Sequence, residues 1–560
     1  MSDETRRRLV YFAVALVVFA AFWPSLANAP VWDDVFLTVE NPFLASVDGV
    51  IELFQHDMWT TSSKREASSF YRPIAMASYA LSRAIGGNGA ASYHAGNVAL
   101  HAANAVLLGA FAERVARVRV LAAALAALGF ALAPLNTEAV TWLSGRFDLI
   151  GTTFLLLSLL ANAKQGETRL LSVPLVLFAL LSKEAFITGA PLLVACDLAL
   201  LGRSPRSEWR KWGALAAAVA LVFVLRRMVG VMGVAAYAAT PPLTLLASFA
   251  FLLTTFGRQL VWPSYLDPFR HYAPPSAIGV AIVLLISTIA LAAAIASWRR
   301  APGDPRRAAI AFGVLWALMT LAPASVTGPN LEMVGDRYAY VPLVGVFLVA
   351  AVALDRALDA GTRAAPIAAA FGTIVLIGAA VRDRVRLAEW RDERTLFSAS
   401  LRDDPANFYS VYSLGQLEAI EGRFAEAEPL LLRADQLRPR YWRTENALCF
   451  VWLNQDRLAA AERACLATVD HNPENPRGWI NLTSVYVRAK MWTRCLEVVP
   501  EAIAKKPRDG EPYYLRAVCR ANSHDFKGAT DDVRAALTYE PGHHGARDLL
   551  SQLRARGVTP

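Results

Sequence analysis

The stretch LVYFAVALVVFAAFWPSLANAPVWDDVFLTVENP, residues 9–42, decides the fold class of this chain. Its first part, residues 9–27, is an apolar run of the length that a helix needs to cross a bilayer, which is about 20 residues. Three arginines at positions 6–8 precede the run, so the positive-inside rule places the N-terminus in the cytoplasm. Two adjacent acids, Asp33 and Asp34, follow the run and should lie at the outer mouth of the helix.

The N-terminal segment also has features of a secretory signal peptide, namely its basic start and the small-residue triplet ANA at residues 27–29. The apolar run is longer than the usual core of such peptides, about 7 to 15 residues, and we interpret it as a retained span. Either interpretation places Asp33 and Asp34 outside the cytoplasm.

Composition extends this interpretation to most of the chain. Of 560 residues, 55% are apolar and only 18% are charged, which is typical neither of a soluble enzyme nor of a disordered chain. Apolar runs continue to about residue 381, and the charged stretch RDRVRLAEWRDERTLF begins at residue 382. The sequence therefore predicts an all-α polytopic membrane domain over residues 1–381, a linker over 382–406 and a second domain beyond it.

Candidate spans recur along the first domain. They lie near residues 9–27, 93–111, 119–133, 147–163, 169–181, 185–201, 213–229, 243–262, 277–297, 308–325, 338–358 and 365–381. The net charge of +9 is carried largely by arginines between these runs, where it orients helices, and we predict no nucleic-acid partner.

Three arginine-rich connections, at residues 114–119, 203–211 and 299–307, should be cytoplasmic. If successive spans alternate in direction from a cytoplasmic N-terminus, the first two connections lie in the cytoplasm, as the rule requires, but the third lies outside. We therefore predict that the run 243–262, which contains Arg258, is a re-entrant or interfacial helix. About eleven spans remain, and the C-terminal domain lies outside.

With this topology, the charged residues outside the arginine clusters collect at the outer ends of helices. They are Asp33, Asp34, Arg72, Glu138, Arg146, Lys183, Glu184, Asp336 and Arg337. Ionisable groups at membrane depth are costly, and such groups are by default a functional hypothesis. The alternative for any single one is an interfacial residue that caps a helix or extends its charge to water.

A lipid-phosphate-linked sugar would use such a set of groups. Its phosphate lies at headgroup level, is a good leaving group, and needs Arg or Lys to offset its charge. We predict that Arg72, Arg146, Lys183 and Arg337 bind this donor phosphate. A carboxylate then accepts the proton of an acceptor hydroxyl, which attacks the anomeric carbon from the opposite face and inverts it.

One acid of the pair Asp33 and Asp34 is the predicted base. The other holds the acceptor or helps to bind a divalent cation such as Mg²⁺ or Mn²⁺, and adjacency alone does not decide. His94, Glu138 and Glu184 are further site candidates. His94 and His101, seven residues apart, lie on one helix face, and we interpret them as packing residues rather than metal ligands.

Six stretches, taken in order, resemble a known family. They are WDDVFLTVENP, YRPIAMASYAL, YHAGNVALHAANAVL, NTEAVTWLSGRFDLI, SKEAFIT and GDRYAYVPLVG. The chain resembles the tetratricopeptide-containing O-mannosyltransferase-like proteins, which belong to the multi-spanning glycosyltransferases that use polyprenyl-phosphate sugars. By this resemblance, Asp33 and Asp34 match the catalytic acidic motif, and Arg72, His94, Arg146, Lys183, Glu184 and Arg337 match other motif positions.

The resemblance implies a membrane enzyme that transfers a sugar, mannose in the family, to an acceptor such as a protein hydroxyl. One departure is APLNTEAV, residues 133–140, where relatives usually show a His-Pro-x-His-Thr-Glu pattern. This chain has Ala133 and Asn136 at the histidine positions, so a role for those histidines is absent or reassigned.

The C-terminal domain carries a repeat that is visible in its prolines. They recur every 34 residues, at 405, 439, 473, 507 and 541, which is the tetratricopeptide period. The sequence predicts four helix pairs over residues 407–543, followed by a C-terminal helix and tail over 544–560. The groove of such a solenoid typically binds an extended peptide or another protein.

Four of the five cysteines lie in the repeats, and Cys196 lies in a predicted span. There is no CxxC motif or zinc spacing. An oxidising compartment would permit a disulfide such as Cys449 with Cys465, but we favour buried free thiols.

Two other functions compete with the glycosyltransferase hypothesis. The first is a non-catalytic membrane scaffold whose repeats recruit envelope-assembly partners. The second is a transporter, which ranks below because transporters usually place their ion sites near the bilayer midplane. The Ala- and Arg-rich, Lys-poor composition favours a bacterial inner membrane, with the site and the repeats on the periplasmic side.

Overall fold

A computed structural model describes residues 2–63, 68–231, 240–359 and 364–556. The chain divides into two compact units, Met1–Leu396 and Phe397–Pro560. The boundary falls inside the segment 382–406 that was predicted as a linker, and most of that segment is helical. Residues 557–560 of the predicted tail lie outside the described residues.

The first unit is built from helices, as the composition predicts. In chain order they are α1 Asp3–Phe22, α2 Asp34–Leu37, α3 Val47–Gln55, α4 Pro73–Gly86, α5 Ala90–Arg114, α6 Val120–Ala131, α7 Thr137–Thr141, α8 Arg146–Asn162, α9 Ser172–Ser182, α10 Gly189–Ala195, α11 Pro205–Met228, α12 Pro242–Val261, α13 Ala277–Arg300, α14 Pro305–Leu321, α15 Thr327–Leu331, α16 Tyr340–Asp359 and α17 Ala364–Glu389. Short 3-10 turns join several of them. The regular β-structure among the described residues is one antiparallel pairing, β1 Arg270–His271 with β2 Met333–Val334.

Seven helical segments within the described ranges are long and apolar enough to cross a membrane, or eight if the bent pair Val120–Ala131 and Pro134–Thr141 counts as one span. The predicted spans 169–181 and 185–201 are shorter in the structure. They correspond to α9, with 11 residues, and to α10 followed by a π-helical turn, Cys196–Leu200. The fold class is therefore an all-α polytopic bundle.

Small residues let the helices of this bundle approach closely. On α6, four alanines between Ala122 and Ala126 are buried or nearly so. Where α14 crosses α16, a Cβ added at Gly313 would lie 2.7 Å from the carbonyl oxygen of Gly345. Close approach of this kind is how membrane helices gain packing energy where no hydrophobic effect acts between them.

The helix α12 covers the run 243–262, which was predicted to be a re-entrant or interfacial helix, and it is one of the seven segments long and apolar enough to cross a membrane. Just before it, Thr240 accepts a hydrogen bond from Asn330, 3.1 Å away. Just after it, the carbonyl oxygen of Pro263 accepts one from Arg382, at 2.9 Å. Both partners lie at the outer end of the bundle in the predicted topology, and the interfacial placement of α12 stays a prediction.

The second unit is a run of antiparallel helix pairs. They are α19 Phe408–Ile420 with α20 Phe424–Leu437, α21 Trp442–Asn454 with α22 Leu458–His471, α23 Pro476–Arg488 with α24 Trp492–Lys505, and α25 Gly510–Asn522 with α26 Phe526–Tyr539. The helix α18, Glu393–Asp403, precedes them and α27, His544–Ala555, follows. Buried alanines at 427, 434, 461, 502, 529 and 536 fill the narrow space between paired helices. The architecture is an α-solenoid of tetratricopeptide type.

The expectation of free thiols in the repeats is wrong. Cys449 and Cys465 form a disulfide between the two helices of the second pair, and Cys495 and Cys519 form one between the third and fourth pairs. The 34-residue period predicts which helices are neighbours, but the facing of two cysteines depends on side-chain directions that the period does not contain. Cys196 is free and buried.

Alkylation under denaturing conditions tests these bonds. We expect one modified cysteine, Cys196, without a reductant, and five after reduction, as counted by intact mass. Replacing Cys495 by Ser should lower the free energy of unfolding of the repeats by about 2–5 kcal/mol, the usual cost of losing a native disulfide. Five modified cysteines without a reductant would contradict the pairing.

Candidate active site

The acidic pair lies in the loop after α1, and the two carboxylates have different surroundings. Asp34 is fully buried, whereas Asp33 is half-buried. One oxygen of Asp34 accepts from the backbone N–H and the hydroxyl of Ser144, both at 2.9 Å, and the other accepts from the N–H groups of Leu143, at 3.1 Å, and Val31, at 3.3 Å. A carboxylate has room for about four such bonds, so Asp34 is saturated.

The four hydrogen bonds limit what Asp34 can do. Both of its oxygens already accept two of them, so a proton from an acceptor hydroxyl or a divalent cation would have to displace one of these donors. In this arrangement Asp34 is therefore poorly suited to bind Mg²⁺ or Mn²⁺. Asp34 instead anchors the loop to the 3-10 turn Leu143–Gly145, 109 residues along the chain.

The pKa of Asp34 reflects this burial. Burial raises it from 3.8 to about 7, although the hydrogen bonds from Leu143 and Ser144 act in the opposite direction. Between pH 3.8 and about 7, Asp34 therefore takes up a proton when the chain folds. The contribution of Asp34 to stability is complete below pH 3.8 and is lost as the pH rises through about 7.

An aromatic wall stands beside Asp33. Trp32, the preceding residue, stacks on Trp142 with 5.5 Å between ring centroids and meets the edge of Phe269 at 5.0 Å. Trp32 has a left-handed backbone conformation, with φ of 56°, and its N–H donates to Glu393 at 2.8 Å. These contacts fix the backbone on which Asp33 lies.

Three of the four predicted phosphate-binding cations lie together. Arg72 binds Glu184 through two hydrogen bonds, of 2.5 and 3.0 Å, and Lys183 contacts both oxygens of Asp148 at 2.7 Å. The guanidinium of Arg337 donates to one oxygen of Glu138, and the backbone N–H of Arg337 donates to the other oxygen at 3.2 Å. The ring of Tyr338 lies 4.7 Å from the guanidinium of Arg337 and 5.4 Å from the ammonium of Lys183.

Each of these cations faces one carboxylate, so the three pairs together are close to neutral. For Glu184, burial alone would raise the pKa, but the charge and hydrogen bonds of Arg72 lower it to about 2. The carboxylate therefore stays ionised at neutral pH. A phosphate could reach these cations only by sharing them with the carboxylates or by displacing the carboxylates.

The structure does not bring Arg146 together with the other three cations. Its side chain is 1% exposed and donates to Asn97 at 2.7 Å, to the carbonyl of Ser78 at 3.0 Å and to the hydroxyl of Ser82 at 2.8 Å. It also donates to the carbonyl of Tyr93. Arg146 joins α4, α5 and α8 behind the acidic loop, and this placement suits a structural role.

The two histidines of α5 also differ. His101 bonds through one ring nitrogen to Tyr340, at 2.9 Å, and through the other to the carbonyl of Ala131, at 3.0 Å, which suits a packing residue. His94 is buried, and the backbone of Asn28 lies beside its ring. Among the residues that the structure describes, no group of three His, Cys, Asp or Glu side chains is arranged to hold a metal ion.

Comparison with curated proteins gives the relatives of this chain. It is 25% identical over 460 residues to a protein O-mannosyl-transferase of Caenorhabditis elegans, an alignment that covers 79% of this chain and 64% of that protein. It is 26% identical over 471 residues to the mouse protein O-mannosyl-transferase TMTC3, covering 76% of this chain and 51% of that protein. The chain is homologous to protein O-mannosyl-transferases.

The identity is higher over a shorter alignment. A segment of 118 residues, 21% of this chain and 14% of the relative, is 39% identical to the human protein O-mannosyl-transferase TMTC2. The chain spans between about half and two thirds of the length of the worm and mouse relatives. No protein-family model matches.

Solved structures resemble the chain only at low scores. The tetratricopeptide protein YrrB, described as having an unusual peptide-binding site, has a TM-score of 0.26 and 16% identity, over 29% of this chain and 83% of that one. The hetero-tetramer Cut9-Hcn1 gives a TM-score of 0.29 and 14% identity, over 92% and 98% of the two chains. The description of the repeats therefore rests on the helix pairs themselves.

Several residues of this region escaped prediction from the sequence. They are Trp32, Trp142, Asp148, Phe269, Arg270 and Tyr338. Four of them, Trp32, Trp142, Asp148 and Tyr338, lie inside the stretches that resemble the family. The three aromatic residues gave no functional signal, because an aromatic residue beside an apolar run most often packs in the core. Phe269 precedes, and Arg270 begins, the two-residue strand β1, which is too short to leave a sequence pattern that could have indicated them.

Proposed function

We propose that the chain is a membrane glycosyltransferase that moves a sugar from a polyprenyl-phosphate carrier to a protein hydroxyl on the outer face of the membrane. Homology to protein O-mannosyl-transferases supports mannose as the sugar and a protein as the acceptor. The observation that carries the proposal is that the two acids of the pair have different surroundings and therefore different roles. One acid is saturated and anchors the loop, and the half-buried Asp33 is held beside an aromatic wall.

The reaction is a single displacement. Asp33 accepts the proton of the acceptor hydroxyl as its oxygen attacks the anomeric carbon. The bond between that carbon and the phosphate oxygen breaks on the opposite face, and the electron pair leaves with polyprenyl phosphate. The configuration at the anomeric carbon is inverted.

The other groups bind and orient the sugar. Trp32, Trp142 and Phe269 offer apolar ring faces against which the C–H side of a sugar can pack. The three ion pairs present donors and acceptors together, which suits sugar hydroxyls because each hydroxyl both donates and accepts. We therefore assign Arg72, Lys183 and Arg337 to binding of the sugar hydroxyls instead of the phosphate, because each of them already forms an ion pair with a carboxylate.

Orientation and compartment follow from charge and from the cysteines. The arginine-rich connections favour a site and repeats on the outer side. Disulfides persist in oxidising compartments, which supports the same side for the repeats. In a bacterial inner membrane, which the composition favours, this is the periplasm. We propose that the repeats bind the protein acceptor.

A reconstituted transfer assay tests the function. The purified chain in nanodiscs is given radiolabelled polyprenyl-phosphate mannose and a cell-envelope extract as acceptor. We expect label in protein, release of polyprenyl phosphate, and a product whose anomeric configuration, read by NMR, is opposite to that of the donor. Absence of turnover with mannose and with other common sugars would instead favour the scaffold hypothesis.

A further inference from the structure

A cavity of about 350 Å³ lies between the second half of α12 and the segment that follows it. It is lined by Thr255, Arg258 and Gln259 from the helix and by Tyr265, Arg270 and His271 from the segment. This volume is within the range of small-molecule sites, about 300–1,000 Å³. Neither the acidic loop nor the three ion pairs contribute to its lining.

The cavity contains buried polar groups that have no partner among the described residues. Gln259 is 1% exposed, and neither its amide oxygen nor its amide nitrogen is hydrogen-bonded to a group in the described ranges. Arg270 is 6% exposed; one of its terminal nitrogens donates to Asp336 and Tyr265, but its Nε meets no acceptor in the part of the chain that the structure describes. Buried polar groups are nearly always bonded, so two incomplete ones at a cavity indicate a polar ligand.

The lining is positively charged. None of the described residues that line the cavity is acidic. Arg258 is exposed and makes no ion pair with any residue in the described ranges, in contrast to Arg72, Lys183 and Arg337. His271 is exposed at the same rim. The charge therefore favours an anion.

The surroundings indicate that the anion is attached to a lipid. The helix α12 ends in exposed apolar residues, with Leu260 36%, Val261 81% and Trp262 72% exposed. Exposed tryptophans are typical of the membrane–water interface. The cavity therefore opens where headgroups lie, and an isoprenoid chain could leave it along the apolar face of α12.

A chain neighbour of the cavity lining also contacts the acidic loop. Phe269, next to Arg270 in the chain, contacts Trp32, which is next to Asp33. A sugar attached to a phosphate in the cavity can therefore extend past Phe269 toward the aromatic wall. We propose that the cavity binds the phosphate of the lipid-linked donor, with Arg258 offsetting its charge. Gln259 and the Nε–H of Arg270, whose terminal nitrogen is already paired with Asp336, donate hydrogen bonds to it. This inference rests on the proposed function.

Binding of the spent carrier tests the inference separately from catalysis. The full-length chain in nanodiscs is titrated with undecaprenyl phosphate, and binding is followed by native mass spectrometry and by the fluorescence of the tryptophans. We expect Arg258→Gln to weaken binding by roughly 10- to 100-fold, the effect of losing a hydrogen bond to a charged group. Gln259→Leu should weaken binding less, because it removes one neutral donor.

Two controls match these variants. Arg227→Gln alters an exposed arginine in the last turn of α11, away from the cavity, and should bind like the wild type. Asp33→Asn should bind undecaprenyl phosphate normally although it is expected not to transfer sugar. Undecaprenol, which has no phosphate, should bind at least tenfold more weakly, as should free inorganic phosphate.

The outcomes separate the two proposals. Unchanged binding by both Arg258→Gln and Gln259→Leu would overturn the inference even if the wild type transfers sugar. Arg258-dependent binding without any transfer would support the inference and count against the proposed function. Equal affinity for inorganic phosphate and for undecaprenyl phosphate would overturn the assignment to a lipid-linked ligand.

Discussion

Asp33→Asn is expected to lower the rate of sugar transfer by roughly 10²- to 10⁴-fold, the usual effect of removing a general base. The amide has nearly the shape of the carboxylate but cannot accept the acceptor's proton. Because Asp33 is half-buried, the variant should fold. The initial rate at saturating donor measures the effect, and a thermal unfolding midpoint close to that of the wild type shows that the loop is intact.

A second acid of the same loop provides the control. Asp48 is exposed in the first turn of α3, and Asp48→Asn should leave the rate unchanged. Asp34→Asn should behave differently again, because its amide would face four donors, and we expect it to lower stability together with rate. If Asp33→Asn transferred sugar like the wild type, Asp33 would not be the base.

Arg146→Gln is expected to lower the free energy of unfolding by about 3–5 kcal/mol, as for the loss of one partner in a buried charged network. The guanidinium donates to four groups on α4 and α5 and lies 4.5 Å from the ring of Tyr79. Glutamine is too short to reach these acceptors, which would remain buried without donors. The measurement is the thermal unfolding midpoint in detergent, followed by intrinsic fluorescence.

Arg83→Gln is the matched control for this variant. Arg83 is half-buried in the last turn of α4 and donates one hydrogen bond, of 3.2 Å, to Asn41. We expect little change in its unfolding midpoint. If Arg146→Gln kept the stability of the wild type but raised the KM for the donor, the sequence-based prediction of phosphate binding would be restored for Arg146.

The regular parts of the fold were predictable because the information is local and periodic. Prolines every 34 residues mark the same point of each repeat, and the structure begins a helix three residues after each of the first four, at 408, 442, 476 and 510. Apolar runs of membrane length predict the bundle equally well. Runs such as 169–181 and 185–201 gave less information, since apolarity alone does not fix where a helix breaks.

The candidate site was predictable in its location and not in its roles. Sequence placed Arg72, Lys183 and Arg337 at one end of the bundle, but the partners Glu184, Asp148 and Glu138 come from other helices. Adjacency could not distinguish Asp33 from Asp34, because the difference depends on Leu143 and Ser144, more than 100 residues away. Phe269 and Arg270 could not be predicted either, because their contacts with Trp32 and Asp336 also join distant parts of the chain.

The two disulfides of the repeats also determine how the solenoid responds to mechanical force. Repeat arrays unravel unit by unit, because each unit contacts only its neighbours. The bond Cys449–Cys465 closes a loop within the second pair, and Cys495–Cys519 ties the third pair to the fourth. Tension can draw out the first pair, α19 and α20, to its full contour length, whereas the later pairs release only the chain outside the closed loops. Oxidation of these cysteines should therefore shorten the extension that the later pairs release under tension and leave that of the first pair unchanged.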